Sequence, residues 1–387
     1  MTASADVVII GGGVIGASVA YHLAARGCTG VRVLEREAAP GLGSTGKATG
    51  GFRCQFGSEV NVRLSLLARE KLLRFADETG VDSGYRPCGY LFLADEPATL
   101  DALVAAQAVQ HAAGACDPRA VTAEEAREIN PAISIDGIAG GTWCTCDGFI
   151  RPLEMLRGYT EAARRLGVRF DHGVEVAGFG MDGDRITTVR TSGGGVAAGA
   201  VVNAAGAWAG AVARMAGVEI PVTPLRRQVA ATVATEVLPD TMPLTIFVDD
   251  GFHARVRDGR VLLLWPDEAR MAEPYDAAFD EVWLPEVTRR AHRRFPALRE
   301  VPVDRAACWA GLYEMSPDKH VLLGRAPGVD NLFLANGSSG HGVMHSPALG
   351  HLLAEIILDG AASTLDVRSL RPSRFAEGEP VSSPEFL

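Results

Sequence analysis

Lysine is scarce in this 387-residue chain: Lys47, Lys71 and Lys319 are the only three among 37 basic residues. Acids outnumber bases 47 to 37, a formal charge of −10. With no surplus of cations to neutralise phosphates, a general nucleic-acid binder is disfavoured. No apolar run approaches the ~18–20 residues of a membrane span. No secretory leader pattern precedes Asp6. The seven cysteines show no CxxC and no regular spacing, which predicts free thiols in a reducing compartment and a cytoplasmic chain. Cys144 and Cys146 stand one residue apart, a poor zinc or redox spacing, so no metal is expected. The missing CxxxxC argues against a disulfide oxidoreductase. No Ser-His-Asp or paired-carboxylate constellation stands out, and no period of 20–50 residues suggests a solenoid or propeller.

What is present reads as an ordinary globular protein, 47% apolar and 22% charged, of two or three domains at ~150 residues each. Val7 to Ile10 form a short apolar run typical of a buried parallel strand. Gly11-x-Gly13-x-x-Gly16 follows, and then a helix from about Val14, through Ile15, to Arg26. A second apolar run, Val31 to Leu34, ends at Glu35. A lone GxGxxG is weak, but strand, glycine turn, helix and terminal acid together make a dinucleotide-binding unit. Gly11 permits the tight turn, Gly13 the approach of a pyrophosphate, and Gly16 the packing of helix on strand. Free N–H groups at the helix start attract phosphate, and Glu35 can accept two ribose hydrogen bonds.

Residues 41–53, GLGSTGKATGGFR, cannot pack a core but can offer backbone N–H groups and hydroxyls to a ligand. Helices are predicted over 59–80, 97–114, from Pro152 onward and from Pro347 to Leu358. An apolar strand at 201–208 runs into Ala205-Gly206, small residues where a ligand backbone could approach, with Trp208 beside them as a further cofactor-binding candidate. Residues 222–312 alternate in polarity, as in Phe252 to Val256 and Val261 to Trp265, and predict an antiparallel sheet. From Arg371 onward the chain reads as a loose tail.

Taken together, GGGVIGASVAYHLAARG with LERE, GSTGKATGGFR, VNAAGAWAG, WAGLYEMSPDKHVLLG and NGSSGHGVMHSPALG resemble the D-amino-acid oxidase superfamily of FAD enzymes. The resemblance spans about 5–375 and is narrower to the branch of sarcosine oxidases, glycine oxidase, dimethylglycine dehydrogenases and proline dehydrogenase beta subunits. It implies an α/β (α+β) fold. A Rossmann-like FAD-binding domain would be assembled from 1–84, 145–221 and 320–375. A sheet domain from 85–144 and 222–319 would roof the flavin, with 376–387 as tail. By position, Gly11, Gly13 and Gly16 would cradle the pyrophosphate, and Glu35 and Arg36 would flank the adenosine. Ser44, Thr45, Lys47 and Ala48, with Thr49 and Gly50 following, would line the ribityl chain. Val174 would bond the adenine through its backbone. Gly340, His341, Gly342, Val343 and Met344 would meet the pyrimidine edge, where N–H groups at a helix start favour the charge of a reduced flavin.

The chain departs from that pattern in places. Gly311 stands where some members carry a flavin-attaching cysteine, so FAD is expected to be non-covalent. Met344 replaces a lysine that holds substrate carboxylate in the monomeric sarcosine oxidases, leaving Arg53, Arg226, Arg227 and Arg255 as candidate cations. The oxygen-reactive lysine of those oxidases would fall near Leu262, which leaves room for an acceptor other than oxygen. His253 and Arg255, in DGFHARV, would face the flavin from the roof, and Trp265, Trp309 and Tyr313 could wall the pocket. His341 and His345 have a metal-like spacing but no acid between them. The resemblance implies oxidation of a primary or secondary amine, an amino or imino acid, by hydride transfer to the flavin. Two alternatives stand beside it: a 2-hydroxy-acid dehydrogenase using His253 as base, and a flavin-carrying subunit of a larger complex with a partner subunit.

Overall fold

In the computed structural model, residues 3–115, 117–266 and 273–383 are described. The apolar runs become interior strands of an eight-stranded sheet. Its order is Leu322–Arg325, Leu332–Asn336, Gly194–Asn203, Ala3–Ile10, Val31–Glu35, Arg169–His172. All neighbours from Leu332–Asn336 onward are parallel. Val176–Asp182 and Arg185–Thr191 extend it antiparallel beyond Gly194–Asn203. Val7, Val8, Ile9 and Ile10 are all buried, because helices cover one face and the antiparallel flap with Ala209–Arg214 covers the other. Each such aliphatic side chain contributes ~1.5–3 kcal/mol by leaving water.

Two helices begin side by side at the carboxyl end of this sheet. Val14–Ala25 follows the first strand, and Gly342–Asp359 follows Leu332–Asn336. They pack closely because small residues meet: a Cβ on Gly350 would overlap Ser18, whose Oγ donates to Ser346 O at 2.8 Å. At their starts, a Cβ on Gly342 would stand 3.2 Å from Ile15 Cδ1. The second helix starts five residues before the expected Pro347, which lies inside it. Proline has no N–H to donate to the Val343 carbonyl, and Ser346 Oγ donates to it instead at 2.8 Å. The stretch expected as one helix over 59–80 is two, Glu59–Leu73 and Phe75–Thr79, broken at Arg74 and ended by Gly80 in a left-handed conformation.

The second sheet draws strands from two stretches of chain. Its order is Trp309–Met315, Thr223–Ala231, Arg260–Leu264, His253–Arg257, Leu244–Phe247, Tyr90–Ala94, Gly140–Cys144, Arg119–Val121. The antiparallel expectation holds except for Leu244–Phe247, which runs parallel to Tyr90–Ala94 across the join between the two stretches. The register sets Arg227 opposite Gly311 and His253 opposite Leu264.

The tail is not loose where it leaves the last helix. Arg374 is fully buried, its guanidinium donating to both Asp318 oxygens at 2.8 and 2.9 Å and to His320 O at 2.8 Å. Arg371 pairs with Glu377 and Glu379, and Val381 N donates to Asp318 at 3.0 Å. Residues 384–387 lie outside the described residues.

Candidate functional site

A cavity of about 640 Å³ runs between the two sheets. At one end lies the glycine turn. Gly11 has φ +106, and a Cβ there would overlap the Ala204 carbonyl, so this turn accepts only glycine. Gly13, Val14 and Ile15 face the cavity. Gly16 does not line it: a Cβ there would overlap Gly11 O, so its role is to seat the helix against the strand. Glu35 lines the cavity with its carboxylate against the turn, Oε2 accepting from Gly12 N at 2.7 Å and Oε1 from Glu37 N at 2.8 Å. Arg36 stacks over Trp208 at 4.2 Å, and both line the same end with Ala205 and Gly206. Val174 is beside them, but its N–H is already donated to Glu35 O at 2.9 Å, which leaves its carbonyl as the group for a ligand.

The middle of the cavity is walled by the glycine-rich loop. Ser44, Thr45, Lys47, Ala48, Thr49 and Gly50 all line it. Thr45 Oγ1 accepts from Val14 N at 3.1 Å and so joins the loop to the first helix. Ser44 Oγ donates to Leu312 O at 2.7 Å, joining it to the second sheet. Gly311 lines the wall beside Lys47, whose Cβ would stand 2.7 Å from a Cβ at 311.

At the far end, Gly340, His341, Gly342, Val343 and Met344 line the cavity where the last helix starts. Gly340 has φ +92, and a Cβ there would stand 2.6 Å from the Tyr313 ring. Arg53 lies under Phe56 and Phe92 with its guanidinium 3.0 Å from His341 Nε2. Because Arg53 can only donate, His341 Nε2 accepts. Burial, then the Arg53 charge, hold the His341 pKa well below its usual range. The His341/His345 pair does not converge on a metal, since His345 Nε2 is spent on Ser65 Oγ at 2.9 Å.

The roof contributes Tyr90, Arg227, Leu244, Ile246, His253, Leu264, Trp265 and Tyr313. His253 Nδ1 donates to Gly251 O at 2.9 Å, so Nε2 carries the lone pair. Burial pushes its pKa down to about 4, keeping the ring neutral. Three of the candidate side chains do not line the cavity. Arg255 is outside the cavity: Nη1 donates to Thr49 O at 2.7 Å and Gly50 O at 3.0 Å, and the guanidinium lies 3.6 Å over Phe149. Its strand turns it behind the loop rather than over the ligand. Arg226, alternating with Arg227, points away and donates to Ala278 O at 3.2 Å. Trp309 also stands outside, donating to Lys47 O at 2.8 Å. Leu262 is buried and lines no part of the cavity. Tyr90 and Lys319 line it without having been singled out. Tyr90 reaches the cavity because Gly51 has no side chain: a Cβ there would overlap Tyr90 Oη.

The cavity fits an extended dinucleotide on one direct observation: glycines that tolerate no Cβ shape both ends, each at a helix start. No helix among the described residues is long and apolar enough to cross a membrane.

A family model described as "FAD dependent oxidoreductase" (DAO) matches residues 6–356. "FAD-dependent oxidoreductase domain-containing protein 1" of Xenopus laevis is 32% identical over 97% of this chain and 84% of its own length. Mitochondrial dimethylglycine dehydrogenase of Rattus norvegicus is 29% identical over 96% of this chain, which spans 45% of that protein. The crystal structure of L-proline dehydrogenase from P. horikoshii superposes with TM-score 0.91 at 30% identity, covering 98% of this chain and 100% of that one.

Proposed function

The chain belongs to the DAO family of FAD-dependent oxidoreductases, and from that premise we propose that it oxidises the C–N bond of an amino or imino acid, with a secondary amine such as proline or an N-methyl amino acid as the favoured class. The observation that carries this reading is the far end of the cavity. There two guanidinium-bearing side chains, Arg53 and Arg227, and the neutral His253 share one chamber with Leu244, Ile246, Leu264, Trp265 and Tyr313.

FAD, when bound, supplies the two-electron acceptor for the hydride that leaves the carbon next to nitrogen. The chain's own groups do the rest. Arg53 and Arg227 fix the substrate carboxylate. His253, neutral through burial, accepts a hydrogen bond at Nε2 from the amine. The aliphatic and aromatic walls exclude water and take up a small side chain or ring. The N–H groups at the start of Gly342–Asp359 point a partial positive charge at the cavity and stabilise negative charge developing there. Gly11, Gly13 and Glu35 hold the adenosine and pyrophosphate end.

The test is an anaerobic panel of proline, sarcosine, dimethylglycine and glycine, with 2-hydroxy acids and the decarboxylated amines alongside. Bleaching of the flavin band is read first, and the rate of return on admitting air second. Bleaching by secondary amino acids, and not by their decarboxylated analogues, supports the proposal. Bleaching by hydroxy acids alone replaces it with C–O oxidation. No bleaching by any donor until a partner protein is added replaces it with a subunit role. The air step distinguishes oxygen from another acceptor.

A further inference from the structure

We propose that Cys54, Cys146 and Asp147 form a buried three-ligand site for a thiophilic divalent cation of the zinc class, next to Arg53 in the chain. The spacing of Cys144 and Cys146 alone is poor for metal, but the fold adds two donors that the spacing cannot show. Cys54 follows Arg53 after the short strand Gly51–Phe52, which pairs with Gly148–Phe149. That pairing brings Cys54 onto the turn carrying Cys146 and Asp147. The Sγ atoms of Cys54 and Cys146 and an Asp147 carboxylate oxygen lie within 4.8 Å of one another. Cys144 Sγ is 3.7 Å from Cys146 Sγ. Ligands on a tetrahedral centre with bonds of ~2.3 Å stand ~3.8 Å apart, the scale on which the Cys54, Cys146 and Asp147 atoms are gathered, whereas Cys144 stays a thiol partner of Cys146 outside that group.

A second observation points the same way. Asp147 is fully buried, and no ion pair reaches it among the described residues. Its carboxylate is instead oriented by two N–H donors, Cys54 N at 2.6 Å and Gln55 Nε2 at 3.0 Å. Gln55 is in turn fixed by donating to Tyr90 O at 3.2 Å and accepting from Thr142 Oγ1 at 2.8 Å. Such outer hydrogen bonds aim a metal ligand and leave lone pairs on the carboxylate for the ion. A divalent cation would add positive charge beside this buried acid, where the Arg53 charge already acts. Loading is a proton exchange with no change of oxidation state: each thiol that binds gives up its proton to water as its sulfur donates to the cation. The consequence for the neighbouring site is positional. A cation here would tie the segment that carries Arg53 to the turn between Gly140–Cys144 and Gly148–Phe149.

This inference is independent of the FAD reading. Its test is the metal content of the intact protein, purified without chelator from cells grown in zinc-supplemented medium. About one zinc per chain is expected, falling close to none in Cys146→Ser and Asp147→Asn. Protein grown in cobalt should show intense ligand-field bands to the red of the flavin absorption, the signature of tetrahedral thiolate coordination. Wild-type protein with neither zinc nor cobalt bands overturns the proposal. So do folded variants that keep their full metal content. If the variants fail to fold, the wild-type cobalt spectrum decides alone.

Discussion

Replacing Arg255 with methionine separates two roles that a sequence reader would confuse. The side chain is 3% exposed, and its Nη1 donates to the Thr49 and Gly50 carbonyls at 2.7 and 3.0 Å. A hydrogen bond from a charged donor contributes ~1.5–3 kcal/mol, and a buried carbonyl left bare costs ~1–3 kcal/mol. Against this stands the cost of burying the guanidinium, which pushes its pKa down to about 9 while leaving it charged at neutral pH. The packing on Phe149 is partly kept by methionine. The net expectation is a loss of about 2–4 kcal/mol. It falls on the Thr49–Gly50 segment, which lines the cavity, so FAD should bind at least tenfold more weakly. The assays are chemical denaturation of the apoprotein and fluorescence titration with FAD. If Arg255→Met kept both unchanged while raising only the substrate KM, the role of Arg255 in holding the Thr49 and Gly50 carbonyls would be refuted and the side chain restored to the substrate chamber.

Gly340→Ala places a Cβ 2.6 Å from the Tyr313 ring in a backbone at φ +92, and should lower both Tm and FAD affinity, read by thermal unfolding with and without FAD. Glu35→Ala frees Gly12 N and should reduce the FAD retained through purification, measured as the flavin-to-protein absorbance ratio. Arg374→Met leaves Asp318 buried without its partner and should cost about 3–5 kcal/mol and expose the tail to protease, read by limited proteolysis. Burial lowers His253 to about 4 and His345 to about 3, so below pH 6.5 the unfolded chain binds protons that the folded one refuses. Stability should therefore fall as pH drops from 6.5 toward 4, by up to ~1.4 kcal/mol per pH unit for each such histidine, and His345→Gln should make the Tm-against-pH slope shallower.

The nucleotide half of the molecule was legible because its constraints are local. Gly11 must be glycine for its own φ, and Val7 to Ile10 are apolar because both faces of their sheet are covered. Register and side-chain direction were not legible. Arg255 and His253 are two apart on one strand, yet one bonds the loop's carbonyls and the other lines the cavity. The start of Gly342–Asp359 was misplaced because Pro347 usually opens a helix, and only the Ser346 hydroxyl makes it tolerable deeper in. The tail misread has the same origin. Nothing local to Arg374 announces that Asp318, 56 residues earlier, will meet it.

The contact of Ser18 with Ser346 and Gly350 bears on what the protein can select. The two amide-rich helix starts are yoked at one crossing, so their separation is a property of the scaffold and not of either loop. Such a yoke works as a gauge of ligand length. A mononucleotide reaches one station only and forgoes the other, whereas a molecule spanning both is held without the chain having to move. Enlarging the residue at 350 would therefore force the two helices apart at Ser18, and the ratio of FAD to FMN affinity in such a variant reads whether their spacing sets the choice.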